Sequence, residues 1–174
     1  MVLLYPSLAL GETMTDLVYR DGVYYRKFGQ VPFTGRVTGK EQGSLKNGKK
    51  HGPWILFWSN GQLNSKGTYK DGKEEGPWVY YWDNGKLLTK GKFKNGKRGG
   101  PWFSYWNNGQ LTSKGTYKDG NENGPWIGYW SNGRLGSKGT YKDGKKDGPW
   151  AWYEKDGSVN KKYTGTFKNG EKVK

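Results

Sequence analysis

His51 is the one histidine in the chain, and cysteine is absent, so any reaction chemistry would rest on carboxylates, hydroxyls and amines. A catalytic histidine needs a partner held in reach. The residues 24 positions apart from it are Glu75, Gly99, Asn123 and Asp147, which marks a variable turn position. The run Asp119-Gly-Asn121-Glu-Asn123-Gly124 matches the front of a calcium loop, but its twelfth residue is Trp130 where a bidentate Glu should stand. The glycines do not form a phosphate loop either, because no Gly-Lys-Ser/Thr opens a helix. No catalytic, metal or cofactor-binding residue is therefore assigned, and no small-molecule substrate is expected. What remains is charge. Lys49, Lys73, Lys97, Lys118 and Lys145 flank one recurring turn, joined by Lys46, Lys70, Lys94, Lys142 and Lys168, and would form a row able to hold an anionic partner. Lys66, Lys90, Lys114 and Lys138 make a second series. Lysine also guards exposed strand edges against aggregation, so the row has a structural reading beside the functional one.

The elements that must position these lysines come from a repeat. Gly-Pro-Trp recurs at Gly52–Trp54, Gly76–Trp78, Gly100–Trp102, Gly124–Trp126 and Gly148–Trp150, each 24 residues after the last. Two turn signals punctuate each unit. One is Asn-Gly at Asn60, Asn84, Asn108 and Asn132, with Asp156-Gly157 last; the other is Asn-Gly or Asp-Gly at Asn47, Asp71, Asn95, Asp119, Asp143 and Asn169. Both fit hairpins whose Asn or Asp takes positive φ. Between them, Trp78 to Trp82 would place Trp78, Tyr80 and Trp82 on one face, with Val79 and Tyr81 on the other. The second strand centres on Gly67, Gly91, Gly115 or Gly139, leaving room for a neighbouring ring over bare backbone. No helical periodicity is visible. The expected fold is all-β, an elongated single-layer antiparallel meander of tandem 24-residue hairpins.

Composition is consistent with that. Only 32% of residues are hydrophobic while 17% are aromatic, so Trp and Tyr must do the burying. Thirty Lys and Arg face fifteen Asp and Glu, a net charge of +15 that draws anionic partners. No apolar stretch reaches the roughly 20 residues of a membrane-spanning helix. Residues 1–15 read as a truncated signal peptide, from the apolar Val2–Leu10 run, or as a disordered start; 16–42 as a capping β segment; 43–174 as the array with a closing strand. The reading inclines to secretion or a periplasm, with the cytoplasm as alternative. Near the end, Tyr163-Thr-Gly165-Thr-Phe167 arrives two residues late, Glu154 replaces a Trp, and the Glu171–Lys174 tail should blunt the closing strand.

The spacing Gly67, Tyr69, Gly72, Gly76 resembles the MORN repeat, over roughly residues 43 to 172. The added Pro-Trp-x-x-Tyr-Trp-x-Asn-Gly looks most like the bacterial variant of that repeat, a group often labelled antitoxin components of toxin–antitoxin systems. The resemblance implies an elongated antiparallel sheet serving as a protein-interaction or membrane-associated scaffold. The expected function is a non-enzymatic scaffold binding a partner protein. The alternative is a basic module that docks on anionic lipid or nucleic acid through its Lys ladder.

Overall fold

The computed structural model describes residues 11–173. The Val2–Leu10 run lies outside them. Short strand β1 (Glu12–Thr13) leads through a 3₁₀ turn (Met14–Asp16), the only helical turn among the described residues, into a separate hairpin, β2 (Leu17–Arg20) and β3 (Val23–Arg26). One 15-stranded sheet holds the rest. It runs through β4 (Gly35–Thr38), β5 (Glu41–Lys46), β6 (Lys49–Phe57), β7 (Leu63–Lys70), β8 (Lys73–Tyr81) and β9 (Leu87–Lys94). It continues with β10 (Lys97–Tyr105), β11 (Leu111–Lys118), β12 (Asn121–Tyr129), β13 (Leu135–Lys142), β14 (Lys145–Lys146), β15 (Gly148–Trp152), β16 (Gly165–Lys168) and β17 (Glu171–Lys172). From β4 onward neighbours in sequence are antiparallel neighbours in space, apart from β14, which shares β13 with β15; β1 pairs with β4 in parallel. The last strand is thus β17, not the Tyr163–Gly170 segment expected to close the sheet, because Asn169-Gly170 makes one more hairpin.

Turn chemistry explains the meander, with a correction. Asn47, Asp71, Asn95, Asp119, Asp143 and Asn169 have φ of 49° to 53°, each followed by a positive-φ Gly, as two-residue hairpins require. At the opposite end only the Gly is left-handed. There Asn60 Oδ1 accepts a bond from Gln62 N at 3.0 Å, and Asn84, Asn108 and Asn132 repeat it, so the Asn closes the turn with its side chain and not through its φ. The first strand of each unit is also longer than Trp78–Trp82: it begins at Lys73 and ends at Tyr81, leaving Trp82 beyond it. Gly-Pro-Trp lies inside that strand as a bulge. Lys66 pairs with Val79 and Thr68 with Glu75, so Gly76, Pro77 and Trp78 stand against the single residue Gly67. Gly76 takes φ 71° there, and the proline, which has no N–H to donate, falls where pairing is already interrupted.

The bulge delivers the core. Each bulge tryptophan is paired with the central Gly of the following strand, as Trp78 with Gly91, while its ring lies over the Gly of the preceding one. A Cβ at Gly43, Gly67, Gly91, Gly115 or Gly139 would overlap the indole of Trp54, Trp78, Trp102, Trp126 or Trp150 respectively. Tyr69, Phe93, Tyr117 and Tyr141 fill the gaps between indoles. From Trp54 to Trp150 the rings alternate edge to face, with centroids 4.9 to 6.2 Å apart and planes 71° to 89° apart. One face of the sheet thereby covers itself. At the N-terminal end Leu17, Phe33, Val37 and Leu45 pack with Trp54, and the β2–β3 hairpin adds Tyr24.

Candidate functional site

With the aromatic face closed on itself, the opposite face is the open one. Strand pairing aligns on it a row crossing nine strands: Ile55, Lys66, Val79, Lys90, Phe103, Lys114, Ile127, Lys138, Ala151. Strands about 4.8 Å apart set successive lysines of the row about 10 Å apart, each between two apolar side chains. Lys66, Lys90, Lys114 and Lys138 are exposed, as is Ile55 at 37%. A parallel row of Pro53, Pro77, Pro101, Pro125 and Pro149 is also exposed, each proline opposite Thr68, Lys92, Thr116, Thr140 or Thr166 in turn.

The turn-flanking lysines extend this face. Lys49, Lys73 and Lys97 open β6, β8 and β10, Lys145 opens β14, and Lys118 ends β11; all are exposed. Register sets Lys46 against Lys49, Lys70 against Lys73, Lys94 against Lys97, and Lys142 against Lys145. Like charges placed directly opposite destabilise a hairpin, so these four pairs are a local cost. Lys118 faces Asn121 and Lys168 faces Glu171, where the pairing is relieved. The Gly-Pro-Trp residues serve the fold: Gly52, Gly76, Gly100, Gly124 and Gly148 supply the bulge, while Trp54, Trp78, Trp102 and Trp150 are buried and Trp126 half-buried.

His51 is not in a turn. It sits within β6, paired with Ser44 of β5, with Nδ1 3.4 Å from the exposed Asp71 carboxylate. Asp119 and Gly120 form the hairpin turn and Asn121 to Gly124 belong to β12, so the run resembling a calcium loop is a tight turn leading into a strand.

A further series escaped the sequence reading. Lys50, Glu74, Arg98, Glu122 and Lys146, again 24 residues apart, alternate in sign along the rim of the aromatic face. Lys50 Nζ lies 4.3 Å from the Trp54 centroid and bonds Glu41; the Arg98 guanidinium lies 4.4 Å from Trp102; Lys146 Nζ lies 4.4 Å from Trp152. Arg98 donates to the Tyr117 hydroxyl, which donates to Glu122 at 3.3 Å. Burial raises the phenol pKa of Tyr69, Tyr117 and Tyr141, and pushes that of Tyr80 to about 12 with help from Glu74. Burial lowers that of Lys146. The signal was present as a sign alternation of period 48, twice the repeat, which a search for identity between repeats passes over.

A family model described as the MORN repeat variant matches residues 50–71, 74–95 and 98–119, three tandem units in the register of the hairpins. No curated protein matches the chain. Repeats of this type are generally protein- or membrane-lipid-binding modules. Among the described residues no helix is long and apolar enough to cross a membrane.

Proposed function

We propose that the chain is a non-enzymatic repeat scaffold that binds an acidic partner protein on its open face. The observation that carries this is the row of alternating lysines and apolar side chains from Ile55 to Ala151, left uncovered while the other face buries its own rings. Such a row offers apolar contact and charge at a fixed interval, the combination that gives an interface both affinity and register. In the antitoxin-like form of the reading, the partner is one protein held by this face. The test is retention of lysate protein on the purified chain after nuclease treatment and a high-salt wash. The expected result is one stoichiometric partner, lost from the Phe103→Asp variant and from a variant with Lys66, Lys90, Lys114 and Lys138 all changed to Glu. Equal retention by wild type and both variants rejects the open face.

A second reading, docking on anionic membrane, is favoured by the opposed lysine pairs at the turns. It predicts sedimentation with phosphatidylserine vesicles that falls steeply as salt rises. Charge reversal at Lys49, Lys73, Lys97, Lys118 and Lys145 should abolish it, and unchanged sedimentation would remove the lysine row from the reading.

A further inference from the structure

The repeat is least faithful to itself at one place on the aromatic face. The position held by Leu56, Tyr80 and Ser104 is Gly128 in the fourth unit, and the position held by Asn64, Leu88 and Thr112 is Gly136. No other unit has glycine at both. The two deletions of side chain leave a hollow of about 350 Å³ lined by Trp106, Trp130 and Trp152, with Ser113 and Ser137 beside Gly128. A second hollow of about 320 Å³ shares Trp130 and Trp152 and adds Glu154, Asn160 and Tyr163. Its residues are departures as well. Glu154 stands where Trp58, Trp82, Trp106 and Trp130 stand in the other units, and the two extra residues of the last unit bring Asn160 within hydrogen-bond reach of the Glu154 carboxylate. The wall between them is held in place, because Trp130 Nε1 donates to Tyr153 O at 2.9 Å. The sheet would be served by repeating its own residues here.

From this convergence we infer a carbohydrate-binding cleft, walled by Trp130 and Trp152. A sugar ring presents a C–H face that stacks on indole and a rim of hydroxyls that both donate and accept. The cleft supplies indole walls, the hydroxyls of Ser113 and Ser137, and a carboxylate with an amide at Glu154 and Asn160. Each hollow is at the lower end of small-molecule sites, roughly 300–1,000 Å³, so two adjoining sugar residues fit better than one large ligand. A cationic guest is disfavoured. Lys146 lies 4.4 Å from the Trp152 centroid, Lys155 5.7 Å from that of Trp130, and Lys162 5.4 Å from that of Tyr163, so each ring already carries an ammonium and repels a cation. The cleft lies on the face opposite the lysine row and stands independently of the partner-binding reading.

The test is titration of the full chain with chitotriose, cellotriose and maltotriose, and with an octathymidylate for comparison, following the tryptophan indole N–H signals by NMR. At least one trisaccharide should shift Trp130 and Trp152 at concentrations up to about 10 mM, the weak range usual for small neutral ligands. Gly136→Leu, which installs the residue found at Leu88 and sets a Cβ 3.3 Å from Trp130 Nε1, should keep the strand signal in circular dichroism and weaken binding by about tenfold or more. Glu154→Gln, at an exposed residue, should also weaken it. No shift with any sugar, a shift unchanged in both variants, or shifts with the octathymidylate alone would each overturn the cleft.

Discussion

Gly91 and Gly99 stand in neighbouring strands and differ in what a methyl group would meet. At Gly91 it would run into the indole of Trp102, buried and held by a bond from Nε1 to Lys92 O at 3.3 Å; at Gly99 it would meet nothing within 4 Å. Gly91→Ala should therefore cost about 1–3 kcal/mol through overpacking. Gly99→Ala should be neutral or up to about 1 kcal/mol stabilising, since it restricts the unfolded chain and needs no left-handed backbone. Urea denaturation of the two variants checks both. The presence of a ring over each central Gly was legible, because Gly and Trp recur at fixed spacing. Which ring covers which Gly was not. That depends on the bulge, which sends Trp78 back over Gly67 while pairing it forward with Gly91. Trp126 shows the limit of reading units as copies: its motif is identical, yet it lies over Gly115 through Cε3 and Cζ3 and is the least buried of the five.

The two hairpin ends look alike in sequence, and an Asn→Gly exchange separates them. Asn95 sits at φ 51°, a conformation that strains an L residue and that Gly adopts freely, so Asn95→Gly should leave stability nearly unchanged. Asn84 works through its side chain: Oδ1 accepts from Lys86 N at 3.0 Å, and Nδ2 donates to Asn107 O at 3.2 Å in the next unit. Asn84→Gly removes both bonds and should cost about 1–2 kcal/mol at roughly 1 kcal/mol per bond. Thermal denaturation of the pair reads the difference, and equal effects would mean the two turns work alike. Hairpins were legible from Asn-Gly alone, but turn type was not, since the dipeptide serves both geometries and only the loop length between paired residues selects one. The open face was legible only in part. Period-two alternation separates Val79 from Trp78, yet which side is covered depends on rings closing over the glycines.

Across the whole molecule, stability is shared between adjoining units. Trp58, Trp82, Trp106 and Trp130 donate from Nε1 to Tyr81, Tyr105, Tyr129 and Tyr153 O of the following unit, and Gly72, Gly96, Gly120 and Gly144 N reach back to the preceding one. The buried phenols then set an alkaline limit. Raised folded-state pKa values for Tyr69, Tyr80, Tyr117 and Tyr141 mean that the unfolded chain ionises first, near 10. Stability is therefore complete below pH 10 and lost as pH rises toward the folded values, about 12 for Tyr80. The lowered Lys146 works the other way, its cost to the folded state disappearing as pH rises to its ordinary 10.5, but it is one group against five, since Tyr24 is raised by burial as well. Circular dichroism between pH 9 and 12 should show strand signal lost together with phenolate absorbance; phenolate appearing first, in folded protein, would contradict the buried rings. The charge alternation makes a different demand on the array. Removing Lys97–Gly120, one full unit, joins Gly96 to Asn121 in register and should leave a folded sheet. It also brings Glu74 and Glu122 into neighbouring units and discards both Arg98 and Tyr117, the hydroxyl through which that cation reached Glu122. Removing Lys73–Gly120, two units, sets Lys50 beside Glu122 and keeps the signs alternating. The one-unit deletion should therefore be stabilised by added salt, which screens the two carboxylates, while the shorter two-unit deletion should gain nothing from it. Melting both in about 0.05 M and about 1 M salt decides the matter, those concentrations spanning screening lengths well above and near 3 Å; the same salt response in both would mean that the 24-residue unit, and not its 48-residue pair, is the complete electrostatic repeat.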